Sequence, residues 1–480
     1  MKNKKIVQFI AFVMVMTLFS CKNSQIFNDI GKVEKKDIPS KFADSLPVDS
    51  TNMADWNWKK LFTDPNLVAL IDTALIRNQE LNIILQEIDV AKNEVRLAKG
   101  EILPTAGVRL GVGMDKYGEY TANGAVESQL EVEHGKHFPK PMGDFNIGAY
   151  FSWEVDLWKK LRNSKKAATS RFLSSVEGKN FMVTNLVSEI ADSYYELVAL
   201  DKKLEVIDTN IAIQSEALEV VKKQKDAARV TQLAVNRFEA QLLNTTNLKF
   251  EIQQEIVEAE NRINFLIGSF PKSIQRSSED FKSVDLVVGP TGVPSQLLSN
   301  RADIRRAEQE LMASKLDVKV ARASFLPSFG IKAGAGFNAF SPRVWFNPES
   351  ILLNLVGDLV APLINRNALK AKYYSANARQ NQAVFDYERS ILNAYIEVVN
   401  QLSKLEKYDS SYNTKQKEVE LLNQSVNISN SLFSSARADY MEVLLTQRET
   451  IDATMDLIEI KLIQLNAKID LYRSLGGGWK

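Results

Sequence analysis

The chain of 480 residues carries 60 basic against 59 acidic side chains, a balance that leaves no global field for nucleic acid or for an acidic surface. Its two histidines share one segment, its one cysteine excludes an internal disulfide, and it has no phosphate-cradling glycine loop, paired-cysteine metal site or nucleophile elbow, so an enzyme is not expected.

Met1 to Lys5 is basic, and Ile6 to Phe19 is apolar apart from Gln8 and Thr17. The run is too short for a membrane span and ends at Ser20, so residues 1–20 read as an export signal. Cys21 follows directly. Its position after a small residue resembles the lipobox of bacterial lipoproteins, in which the cysteine becomes the acylated first residue of the mature protein; ordinary cleavage nearby is the alternative. Lys22 stands where an aspartate would mark retention at the inner membrane, which favours the outer one. Residues 21–64 form a polar tether and an amino-terminal segment. Asp64-Pro65 then opens a helix, an acidic cap with proline in the first turn. Leu67, Leu70, Ile71, Ala74, Leu75, Asn78 and Leu81 share its inner face, and the helix is predicted to run to about Leu103.

At Pro104 the period changes to two. Ala106, Val108, Leu110, Val112 and Met114 alternate with small or polar residues, and Phe145, Ile147, Ala149, Phe151, Trp153 and Val155 do so again. The insert between them, Lys116 to Gly143, carries Glu131, Glu133, His134 and His137. That spacing is no zinc signature; a solvated loop is expected, with metal binding as the alternative.

Leu75–Gly113 overlays on Leu298–Gly336 without a gap at a shift of 223, with eleven of 39 pairs identical, among them Pro104/Pro327, Gly107/Gly330 and Gly113/Gly336. The chain is therefore an internal duplication: a first repeat over 65–268, a linker rich in proline and glycine over 269–294, and a second repeat over 295–480. The second pair of strands is Phe329 to Phe337 and Ile351 to Leu359, the latter blurred by Leu352 and Val356. The loop between them, Ser341 to Ser350, is expected to constrict the outer mouth. Four alternating segments of about ten residues suit tilted transmembrane strands with one face in lipid and one in water. Four strands cannot close a barrel, and an open edge in hydrocarbon costs several kcal/mol per unpaired group, so other chains must supply the rest. A soluble sheet packed on helices also alternates and is the alternative.

Long helical regions follow each strand pair, about Leu157 to Ile267 and about Ile364 to Leu475. Leu186, Ile190, Tyr194, Leu197, Leu200, Leu204, Ile207 and Ile211 recur every three or four residues, and Ile451, Met455, Ile458, Leu462, Leu465, Ile469 and Tyr472 keep a seven-residue repeat, a coiled-coil seam. Each region should fold back once, at Ala228–Val235 and Ala436–Val443, which align at a shift of 208.

The segment from Trp56 to Leu81, the stretch Arg301-Ala302-Asp303-Ile304 followed by Ala307-Glu308, and the ending Leu471-Tyr472-Arg473-Ser474-Leu475-Gly476-Gly477-Gly478-Trp479 carry a resemblance. Together they resemble the TolC-like outer-membrane efflux channels, in the lipoprotein (NodT-type) branch that serves multidrug pumps. Ala302 departs from the proline usual there, and the turns have Ala228 and Ala436 where the family usually has a glycine. The resemblance implies a mainly α fold with transmembrane β: a long helical coiled-coil barrel and four strands per protomer, three protomers completing a twelve-stranded barrel. It implies a homotrimer in the outer membrane, a periplasmic adaptor and an inner-membrane pump of the resistance-nodulation-division type, no cofactor beyond a covalent lipid on Cys21, and no nucleic acid. It places a periplasmic gate carboxylate at Glu442, with Leu445 where a second would stand. It also places adaptor contacts at the turns, here Arg229, Thr231, Arg437 and Asp439. A lipid-anchored periplasmic scaffold without a pore is the alternative.

Overall fold

A computed structural model describes residues 39–42, 51–133, 135–276, 281–364, 366–435 and 437–480. The export signal, Cys21 and His134 lie outside the described residues. The main elements are α1 (Pro65–Arg77), α2 (Gln79–Gly100), β1 (Thr105–Asp115), β2 (Met142–Val155), α3 (Lys160–Asp226), α4 (Gln232–Leu266), α5 (Ala302–Ala323), β3 (Ser328–Ala339), β4 (Ile351–Val360), α6 (Asn367–Ser434) and α7 (Tyr440–Ser474). The insert after β1 holds a short helix, Ala122–Gln129, and a two-stranded hairpin, Glu131–Glu133 with Lys136–His137. Among the described residues no group of His, Cys, Asp or Glu is placed to hold a metal ion.

The single helix expected from Pro65 to Leu103 is two helices. Asp64 caps α1, accepting from the Asn66 amide at 2.8 Å, but Asn78 leaves helical geometry with ψ at 126°. Its Oδ1 accepts from the Leu81 amide at 2.8 Å and starts α2, while its Nδ2 donates to the Leu266 carbonyl at 2.9 Å. The tertiary contact, not local propensity, makes the break. Arg301, the equivalent position in the second repeat, does the same work by other means: its Nη1 donates to the Ser474 carbonyl at 3.0 Å. Leu266 and Ser474 are themselves related by the shift of 208. Gly268 and Gly476 complete the symmetry, both with positive φ (66° and 93°), each packed so closely that an added Cβ would lie 2.6 Å from backbone of Arg77 or Asn300. The duplication read from sequence is thus a duplicated contact, helix end against helix start.

This equatorial junction is the core. Leu67, Ile71, Ile190, Tyr194, Leu197, Ile263, Leu465, Ile469 and Tyr472 are buried there, with the Tyr194 hydroxyl on Asp64 at 2.6 Å and the Tyr472 hydroxyl on the Trp56 carbonyl at 2.6 Å. The linker joins it: Ile274, Phe281 and Leu286 are buried, and Arg276 clamps Asp201 and Glu260 of α3 and α4. Away from the junction, α3 and α6 extend 67 and 68 residues, roughly 100 Å at 1.5 Å per residue. Their partners α4 and α7 fold back along them, and the seven-residue seam is in place, with Ile451, Ile458, Leu462, Leu465, Ile469 and Tyr472 buried. No described helix is long and apolar enough to cross a membrane.

Candidate functional site

The four strands form one antiparallel sheet in the order β1-β2-β3-β4. Because residues facing one another across a ladder share a face, the register assigns every side chain. One row runs Val108, Ala149, Ala335, Leu353, and the next Leu110, Ile147, Phe337, Ile351. Continued over all rows, this face contains only apolar residues with Gly143 and Gly357, and it is bare: Val108, Leu110, Val112, Met114, Leu353 and Leu355 are exposed, the last by 77%. The opposite face carries Arg109, Asp144, Asn146, Ser152, Glu154, Lys332, Asn338, Asn354 and Asp358 among glycines. Lys332 pairs with Asp358 at 3.0 Å, and Asn338 donates to Asp144 at 2.8 Å. The blurred residues of the last strand, Leu352 and Val356, belong to this polar face. Gly336 is required where β2 and β3 approach: an added Cβ would lie 2.2 Å from the Ile147 carbonyl oxygen.

Aromatic rings border the apolar face at both ends. At the end remote from the helices Trp345 packs on Phe145 at 5.6 Å and Phe346 on Phe337 at 5.7 Å. At the other, the Trp153 and Trp158 indoles donate to the carbonyls of Ile102 (3.1 Å) and Pro327 (2.7 Å). Such girdles mark the two water interfaces of a membrane barrel. They also correct the reading of the second loop, whose aromatic pair folds onto the apolar outer face and not across the mouth.

The same order of elements persists below the sheet. β1-β2-β3-β4 passes into α2-α3-α5-α6, and below the junction into α4-α3-α7-α6, each packed on its neighbours in the list. One curved wall results, with β1, α2 and α4 along one edge and β4 and α6 along the other. Neither edge strand has a partner on its outer side among the described residues.

At the far end the wall stops at two turns. Both lie where the pattern put them but are shorter, since α4 begins at Gln232 and α7 at Tyr440. Ala228 takes the left-handed conformation, φ 55°, and the Arg229 amide reaches back to the Gln224 carbonyl at 2.9 Å, the closure a glycine usually serves. In the second turn the Arg437 amide bonds the Leu432 carbonyl at 2.9 Å, and Asp439 caps α7. Arg229, Thr231, Arg437, Asp439 and Glu442 are all exposed at the tip. Beneath them Leu218, Val221, Val235, Phe238 and Val443 pack together.

The family model described as outer membrane efflux protein matches residues 70–269 and 293–477. The chain belongs to the outer membrane efflux protein family. It is 26% identical over 446 residues to the cation efflux system protein CusC of Escherichia coli O6:H1, covering 92% of this chain and 93% of that protein. It is 27% identical over 427 residues to the pyoverdine export outer membrane protein OpmQ of Pseudomonas aeruginosa, covering 88% and 87%. In fold it is similar to the open state of the MtrE outer membrane channel of Neisseria gonorrhoeae, with a TM-score of 0.81 at 21% identity over 94% of this chain and 98% of that one. The protein is therefore the outer-membrane channel of a tripartite efflux system.

Several polar groups of this efflux channel were invisible to sequence reasoning because burial is a tertiary property. Asp192 of α3 faces Asp470 and Arg473 of α7 and Lys404 of α6. Burial, with Asp470 adding and the two cations opposing, pushes its carboxyl up to about 8. With Glu196, Glu255, Arg262 and Asn466 it lines a cavity of about 660 Å³ between α3, α4 and α7. Gln214 and Gln447, 2% and 4% exposed, lie one turn from Leu218 and Val443, and neither side-chain amide finds a partner among the described residues.

Proposed function

We propose that three copies of the chain close one twelve-stranded barrel continuous with a periplasmic helical tube, and that this conduit is the passive exit duct for small molecules. The observation that carries the reading is the sheet with one wholly apolar face and two open edges, which in hydrocarbon must be paired by further copies. Cys21, acylated, tethers each copy to the periplasmic leaflet. The tip turns, with Arg229, Thr231, Arg437 and Asp439 exposed, meet a periplasmic adaptor, through which an inner-membrane pump of the resistance-nodulation-division type drives the flow. Relatives named for a cation and for pyoverdine are similar to this chain by nearly the same identity, which supports a duct that leaves choice of cargo to the pump.

Glu442, exposed in the first turn of α7, forms the gate in three copies about the axis: a carboxylate ring that attracts cations and whose like charges resist close approach. Protein extracted from outer membranes should migrate as a trimer that collapses on boiling; a monomer freed by removing its lipid anchor would support the scaffold reading instead. In planar bilayers Glu442→Gln should weaken cation preference, and an unchanged preference would remove the ring.

A further inference from the structure

Below the sheet, the outward sides of the helices carry charge of one sign. A chain of contacts distinguishes the two sides of the wall. Glu154 belongs to the polar face of β2, and Lys160 reaches it at 2.5 Å, so Lys160 marks the lumenal side of α3. Arg171 stands eleven residues on, about three turns, and therefore on the same side. It pairs with Asp317 of α5, and both line a cavity of about 620 Å³ with Lys372 and Arg379 of α6. The lumenal sides of three neighbouring helices are thereby defined.

On α5, Lys315, Lys319 and Arg322 lie about 140° to 160° round the helix from Asp317 at 100° per residue. Lys166 of α3 and Lys370 of α6 stand about 120° and 160° from Lys160 and Lys372 by the same count. All five are exposed. The α5 triad recurs in the first repeat as Lys92, Arg96 and Lys99 of α2, the same three positions at the shift of 223 and again exposed. Basic charge is kept at all three although most of the overlay has diverged. Residues 157–176 and 361–385 contain no Asp or Glu, and between 311 and 327 the only acid is Asp317, committed to Arg171. Lys166 and Lys370 also sit near helix N-termini, where the helix dipole favours anions over cations.

These cations lie within about 12 Å of the helix ends that meet the strands, at 1.5 Å per residue, and just beyond those ends the apolar face begins. The interfacial layer of a bilayer adds about 5–8 Å beyond the hydrocarbon on each side, and long basic side chains extend toward it along apolar surface. We propose that this collar binds the anionic headgroups of phospholipids in the periplasmic leaflet, holding the channel at a defined depth. The collar continues the lipid-facing surface, and it supplies the charge complement that such a leaflet recognises. It rests on the outer-membrane placement and is independent of the gate and the adaptor contacts.

The test uses the full-length trimer in detergent, mixed with phosphatidylglycerol or phosphatidylethanolamine, with retained lipid counted by native mass spectrometry. Phosphatidylglycerol should be retained about fivefold over phosphatidylethanolamine, and the preference should collapse when salt is raised from about 0.05 M to about 0.5 M. The combined variant Lys166→Gln, Lys319→Gln, Lys370→Gln should lose most of the preference while keeping its heat-sensitive trimer. Equal retention of the two lipids, or a preference unchanged in the variant, would overturn the proposal. A variant that keeps the preference but no longer captures the adaptor would assign the collar to a protein and overturn it as well. If the variant does not assemble, the wild-type salt titration decides, and a preference that survives high salt counts against the collar.

Discussion

Asp192 shows what one buried group does to a long helical wall. Its carboxyl, raised to about 8, keeps its proton in the folded protein at a pH where the unfolded chain, titrating near 4, has lost it. Folding therefore takes up a proton between about pH 4 and pH 8, and stability falls across that window as pH rises. Asp192→Asn should melt with the parent near pH 4 and above it at about pH 8.5, followed by thermal unfolding of the detergent trimer. Equal melting at the alkaline end would contradict the assignment. Arg301 works in the other direction. It is 6% exposed and joins Asp303 and Glu397 to the Ser474 carbonyl, so Arg301→Ala should cost about 3 kcal/mol. Arg301→Asn restores the residue that caps and bonds at position 78 and should recover part of that loss in a denaturant midpoint. Identical losses in the two variants would break the claimed equivalence of the repeats.

Elements were more legible than their joints. Alternation alone sorted the strands into an apolar and a polar face, since a period of two cannot be mistaken over ten residues, and the heptads named the buried stripe of α7. The break at Asn78 was missed because its cause lies 188 residues away in the Leu266 carbonyl. The turns were located, but their far ends were drawn four residues into the helices that follow, because no glycine or proline marks them and an alanine adopts the left-handed conformation instead. The outer-mouth reading of the second loop failed for a related reason: sequence gives the aromatic pair but not the face it covers. One pattern still lacks a partner within the protomer. Leu243, Phe250 and Val257 of α4 recur at seven-residue intervals on the edge of the wall and are 64%, 62% and 48% exposed. On the opposite edge, α6 exposes Leu421 and Ile428. Joined between copies, these stripes would extend the strand seam down the tube. Phe250→Asp should therefore weaken the trimer in native electrophoresis while leaving helix content by circular dichroism unchanged. A trimer of undiminished stability would place the seam elsewhere.

At the scale of the whole molecule, the protomer is a strip of wall whose vertical order of elements is continuous from sheet to tip. Nothing in that order closes on itself. The lumenal side is polar, the membrane side apolar above and basic below, and the two long edges are incomplete. These properties are explained together if the unit of folding is one chain and the unit of function is a ring of three. The most direct measurement is hydrogen exchange on protein extracted from outer membranes into detergent, comparing the edge strands Thr105–Asp115 and Ile351–Val360 with the central strands Met142–Val155 and Ser328–Ala339. Edges paired by neighbouring copies should be protected as strongly as the centre. Edge amides that exchange as fast as the outer loops, while the central pair stays protected, would mean that the sheet ends where the protomer ends and that no barrel forms.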